Sequence, residues 1–182
     1  MKNLKLKITI PFLSIEGVVW EANETQRDAA WEMYVELVTR VSAVELPEEE
    51  GILRESLTSL YKIFQLTREI LRKYGPNVAR PYKGSEMTFG RLAVFILNKI
   101  LSPILTKWHP LLSDWEHQRK PNCSLVQHEK DWPKNNELRN EINRVRRELI
   151  GCVKVLEVIA NISDLTISKQ HTDQNISIER IK

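Results

Sequence analysis

The chain has 182 residues and a formal net charge of +3, with 42% hydrophobic and 28% charged residues. That length buries a real core without disulfide staples, and the balance excludes an intrinsically disordered chain. The mild positive charge permits nucleic acid as a partner but is far from the concentrated basic footprint of a dedicated binder. Two cysteines, Cys123 and Cys152, fit a reduced cytoplasmic protein, because Cys152 lies on an apolar stripe where cysteine acts as a small buried hydrophobe.

Residues 4–20 alternate apolar and polar around Pro11 and then run Val18-Val19-Trp20 after Gly17, which predicts two short strands. Lys2, Lys5 and Lys7 alternate with Leu4, Leu6 and Ile8, so no continuous apolar region marks a signal peptide. Asn23 or Thr25 caps a first helix whose face is Ala30, Tyr34, Leu37, Val41 and Val44, with Trp31 expected in the core. This helix ends before Pro47, and Glu48, Glu49 and Glu50 suit the start of the next, where carboxylates meet the positive end of the helix dipole.

The second helix carries Leu53, Leu57, Leu60, Tyr61, Phe64, Leu71 and Tyr74 and stops at Gly75-Pro76. After a connector over 76–86, Phe89 to Trp108 is apolar nearly all round, the pattern of a helix central to a core, which Pro103 is expected to kink or end. Its most apolar stretch, Leu92 to Leu105, is interrupted and shorter than the roughly 20 residues that span a bilayer, so no membrane association is expected. Residues 110–134 read as a long polar loop holding Pro121, of a length that is often functional.

A final long helix begins near Asn135 or Asn136. Leu138, Ile142, Val145, Leu149, Cys152, Leu156 and Ile159 step by four and three along it, one stripe that asks for another helix. Within 164–181, Leu165 to Lys169 and Ile176 to Ile181 alternate around a polar turn at His171 to Asn175, predicting a hairpin. The economical architecture is a single, mainly α domain over 1–182. It is a bundle of about four helices with a small antiparallel β element formed by the N- and C-terminal segments.

Catalytic signatures are missing. The six glycines form neither GxGxxG nor GxxxxGK[ST], and no GxSxG occurs. The arginine and histidine that small helical ribonucleases carry about four to six residues apart on one helix are absent, Arg119 and His128 being too widely spaced. His117, Cys123 and His128, with Asp114, Glu116, Glu129 and Asp131 nearby, match no zinc spacing, so neither metal nor cofactor is expected.

Two basic sets could meet phosphate. One is Arg68, Arg72 and Lys73 at the end of the second helix with Arg80 and Lys83 beyond, interleaved with Tyr74 and Tyr82. The other is Arg139, Arg144, Arg146 and Arg147 on the last helix, alongside Glu137, Glu141 and Glu148. The dipole preference and ion pairing account for most of these charges without a ligand.

Trp108, Trp115 and Trp132 bracket the polar segment. Tryptophan is enriched at binding hot spots, and the same residues suit pinning a loop to a bundle. The first helix, with an apolar face wider than one seam, is a second candidate for docking another helix. The expected function is that of a non-catalytic interaction protein: an adaptor, regulatory or structural subunit binding a protein partner or its own copy. The alternative is a nucleic-acid-associated protein or nuclease using the basic faces.

Overall fold

Residues 5–41, 52–162 and 176–181 are described in the computed structural model. Strand β1 (Lys5–Ile10) lies between β2 (Ile15–Glu21) and β3 (Ser177–Ile181), antiparallel to both. Its alternation sends Leu6, Ile8 and Ile10 into the core, where all three are fully buried. Pro11 starts a short 3-10 turn ending at Ser14, and Gly17 at φ +61° donates its amide to Thr9 Oγ1 at 3.0 Å. Both termini therefore contribute to one small sheet. Of the predicted C-terminal hairpin, 177–181 forms β3 and pairs with β1; Leu165 to Lys169 and the turn lie outside the described residues, as do Val44 and Glu48 to Glu50.

Helix α1 (Glu24–Val41) is capped by Asn23, whose Oδ1 accepts from the Gln26 amide at 2.9 Å. Gln26 is itself fully buried. Its Oε1 accepts from Trp20 Nε1 (2.9 Å) and from the Phe89 amide (3.2 Å), and its Nε2 donates to Arg80 O (3.2 Å). One side chain thus ties the sheet, α1, the connector and the next helix together. Helix α2 (Leu53–Tyr74) ends at Gly75, φ +61°, whose amide bonds back to Leu71 O.

The apolar segment is one rod. Helix α3 (Phe89–Phe95), capped by the Thr88 hydroxyl, runs through a π-helical stretch (Ile96–Leu101) into α4 (Ser102–His117). Pro103 neither ends nor breaks it. It falls just past the π stretch, where the Ser102 amide reaches back to Leu97 O and the hydrogen-bond register is already shifting. The rod, Phe89–His117, is long and apolar enough by length and composition to cross a membrane, yet 56% of its most apolar window is buried inside the fold. Leu92, Ile96, Ile100, Ile104, Trp108 and Leu112 are each at most 2% exposed.

The long loop expected over 110–134 is a correction. Residues to His117 are the last turns of α4, and α5 (Leu125–Lys130) follows. Leu101, Leu105, Trp108, Leu112 and Trp115 continue a four-three stripe straight through Pro110, and burial of that stripe outweighs the one hydrogen bond the proline removes. Helix α6 (Asn135–Ala160) completes the bundle, all seven residues of its stripe buried, and turns at Asn161 in the left-handed conformation.

Candidate interaction site

The three tryptophans expected at a partner surface form an internal clamp. Trp108 is 1% and Trp132 7% exposed, their rings edge to face at 5.9 Å. Trp115 is half-buried; its Nε1 donates to His128 O at 2.8 Å while the rings stack at 4.6 Å. In return, His128 Nε2 lies 2.7 Å from Trp115 O. A carbonyl only accepts, so that nitrogen carries the proton. Neither Trp108 nor Trp132 presents a ring to solvent, and the geometry is that of pins holding α5 to the bundle.

Glu129 extends the clamp. Its carboxylate accepts from the Leu53 amide and so caps α2, whose own N-cap residue, Ile52, supplies no side-chain bond. Burial pushes the Glu129 carboxyl up, against the opposing pull of the Leu53 and Arg54 amides. Asn135 Nδ2 donates to Glu129 O at 2.7 Å, joining the start of α6 to the end of α5. Beside this cap, Arg54 clasps Glu116 through Nε (2.8 Å) and Nη2 (2.6 Å) and donates from Nη1 to His109 Nδ1 at 3.1 Å. Burial first, then the Arg54 charge, hold the His109 imidazole below its usual value, with Glu116 opposing.

An open surface lies elsewhere. Trp31, expected in the core, is 41% exposed, because the buried face of α1 is Ala29, Ala30, Met33, Tyr34 and Leu37. It stacks on Tyr34 at 6.0 Å and forms one lip of a groove of about 380 Å³ between α1 and α2. Trp31 and Val35, one turn apart on α1, face Leu66 and Ile70, one turn apart on α2. Around these four apolar residues stand Glu32, Glu36, Glu69 and Lys73.

The groove is acidic. Lys73 is bound to Glu32, which also accepts from Tyr74 Oη at 2.8 Å. Burial raises the Glu32 carboxyl, but the Lys73 and Tyr74 bonds outweigh it and leave it below its usual value. Burial and the Glu32 bond push the Tyr74 phenol up to about 12. Glu36 pairs with Arg40 at 3.0 Å, and Glu69 makes no ion pair among the described residues.

The basic sets are largely engaged with their own chain. Lys73 is held by Glu32, Lys83 by Glu21 at 3.1 Å, and Arg144 by both Glu141 and Glu148 at 2.9 and 2.6 Å. Arg147 is also partnered, Arg80 reaches Asn77 at 3.4 Å, and Arg68 lies over the Phe64 ring at 5.9 Å; Arg72 is exposed. Arg139 is buried at the start of α6.

Among the described residues no three His, Cys, Asp or Glu side chains come together as a metal site. His117 Nδ1 lies 2.6 Å from Ser113 O and His128 is stacked on Trp115. Burial pushes the Cys152 thiol far up, so it is a packing residue. No family model, curated protein or solved structure matches the chain significantly, so the class defined by its fold is a mainly α bundle closed by a terminal three-stranded sheet.

Proposed function

We propose that this protein is a non-catalytic interaction module, an adaptor or subunit that docks a protein partner in the α1–α2 groove. One observation carries the reading: Trp31 is left substantially exposed on the lip of an apolar cleft, although Ala29, Ala30, Met33, Tyr34 and Leu37 of the same helix are packed away. A large exposed ring beside a concave apolar floor is the composition of an interface hot spot. The fully buried Trp108 supports the same assignment by contrast, since its area is already used inside the fold.

The test is recovery of the tagged protein from its native cells, beside Trp31→Ala and Leu66→Lys variants, at moderate and raised salt and with nuclease. The expected result is a stoichiometric protein partner that survives nuclease and salt, is retained by the wild type and is lost from both variants while their helical content is unchanged. Recovery that is indifferent to both substitutions but collapses with nuclease or salt would move the site to the exposed cations Arg68, Arg72 and Arg80.

A further inference from the structure

We infer that the occupant of the α1–α2 groove is a cationic amphipathic helix: an apolar anchor or two seated between Trp31, Val35, Leu66 and Ile70, with Lys or Arg beside them for Glu36 and Glu69. This rests on the groove being a docking surface and adds what it selects.

The charge of the lining carries the inference. Three carboxylates and one ammonium line the cleft, and that ammonium is already bound to Glu32. Among the described residues Glu69 makes no ion pair, and Glu36 pairs only with the exposed Arg40 outside the groove lining. An apolar occupant without cations would strip water from Glu69 and Glu36 and give nothing back, which is costly for a carboxylate. Lys or Arg placed one turn from the anchor restores the lost interaction and steers the approach. The apolar rows fit this form: Trp31 to Val35 and Leu66 to Ile70 each run about 6 Å, the rise of four residues along a helix, matching anchors at i and i+4.

The same charges argue against other occupants. A second copy docking groove to groove would set Glu36 and Glu69 against their own kind across a symmetric interface. Phosphate, whether of nucleic acid or lipid, meets the same repulsion.

Isothermal titration of the full chain with three synthetic helical peptides tests this. All share one Leu-rich face; the flanking positions are Lys and Arg, Gln, or Glu. The cationic peptide is expected to bind tightest at low salt and to lose its advantage as salt rises. Glu36→Gln with Glu69→Gln should weaken the cationic peptide about fivefold and leave the Gln peptide unchanged. Trp31→Ala and Leu66→Lys should each weaken every peptide. If the Gln or Glu peptide matches the cationic one while both still depend on Trp31, the charge selectivity is wrong and the groove stands. If no peptide binds, or binding ignores both Trp31→Ala and Leu66→Lys, the groove is not a docking surface and the inference falls with it.

Discussion

The clamp around α5 and the groove between α1 and α2 are built from the same residue types. Each holds tryptophan, glutamate and a basic side chain. In the clamp, Trp108 and Trp132 are packed ring against ring, and the Glu129 carboxylate is buried against the start of α2. In the groove, Trp31 keeps two fifths of its surface in water and Glu69 has no ion pair among the described residues. The lesson is that an aromatic becomes a staple or a handle according to whether its ring is buried by the elements around it: the clamp's rings are packed away even though Glu129 Oε2 and His109 Nε2 stay buried with no hydrogen-bond partner among the described residues, whereas the indole of Trp31 is left at the surface. The clamp closes on itself through reciprocal Trp115 and His128 bonds, while the groove keeps an unbalanced lining.

Substitution separates the two regions most sharply in stability. Trp108→Ala should cost about 3–5 kcal/mol, the loss expected for emptying a fully buried aromatic site, read as a lowered midpoint of urea unfolding. A loss as small as that of an exposed residue would show that the Trp108–Trp132 contact does not hold the bundle.

Glu129 comes next. Glu129→Ala removes the one side-chain acceptor found among the described residues at the start of α2 and should cost about 1–2 kcal/mol. Glu129→Gln keeps an acceptor and removes the buried charge, so it should cost less than alanine at neutral pH. The sign with pH follows from the raised carboxyl. Its contribution to folding is fully present below the ordinary value of 4.5 and is lost as pH rises through the higher folded value. Melting temperatures from pH 7 down to 4 should therefore show the wild type gaining on Glu129→Gln as acid is added. A constant gap would mean that the carboxyl titrates normally.

The neighbouring His109 runs the other way. Its imidazole is held below 6.5 by burial and by Arg54, so its contribution is present above pH 6.5 and is lost as pH falls through the folded value. His109→Gln retains an acceptor for Arg54 and should flatten the fall in melting temperature over that window. An identical slope in the variant would remove His109 as its cause.

The fold was largely legible because it rests on periodicity. The stripe from Leu138 to Ile159 and the stop at Gly75-Pro76 are local patterns that burial in the bundle reinforces. The clamp was not legible, because prolines at 110 and 121 read as breakers while the decisive contacts join residues far apart, such as Glu129 with Leu53. Trp31 misled for a related reason. It adjoins the buried stripe of α1, and only the placement of α2 decides that the stripe ends at Ala30 and Tyr34 on that side. The wider apolar face of α1 was the one signal that pointed there.

Trp31→Ala is the smallest effect on stability and the most telling of the set. The ring already stands partly in water, so its removal should shift the unfolding free energy by about 1 kcal/mol or less. The variant should therefore unfold nearly as the wild type does in urea and yet lose the docking proposed for the groove, the reverse of the expectation for a core tryptophan. A loss near that of Trp108→Ala would place Trp31 among the staples, and the contrast between clamp and groove would disappear.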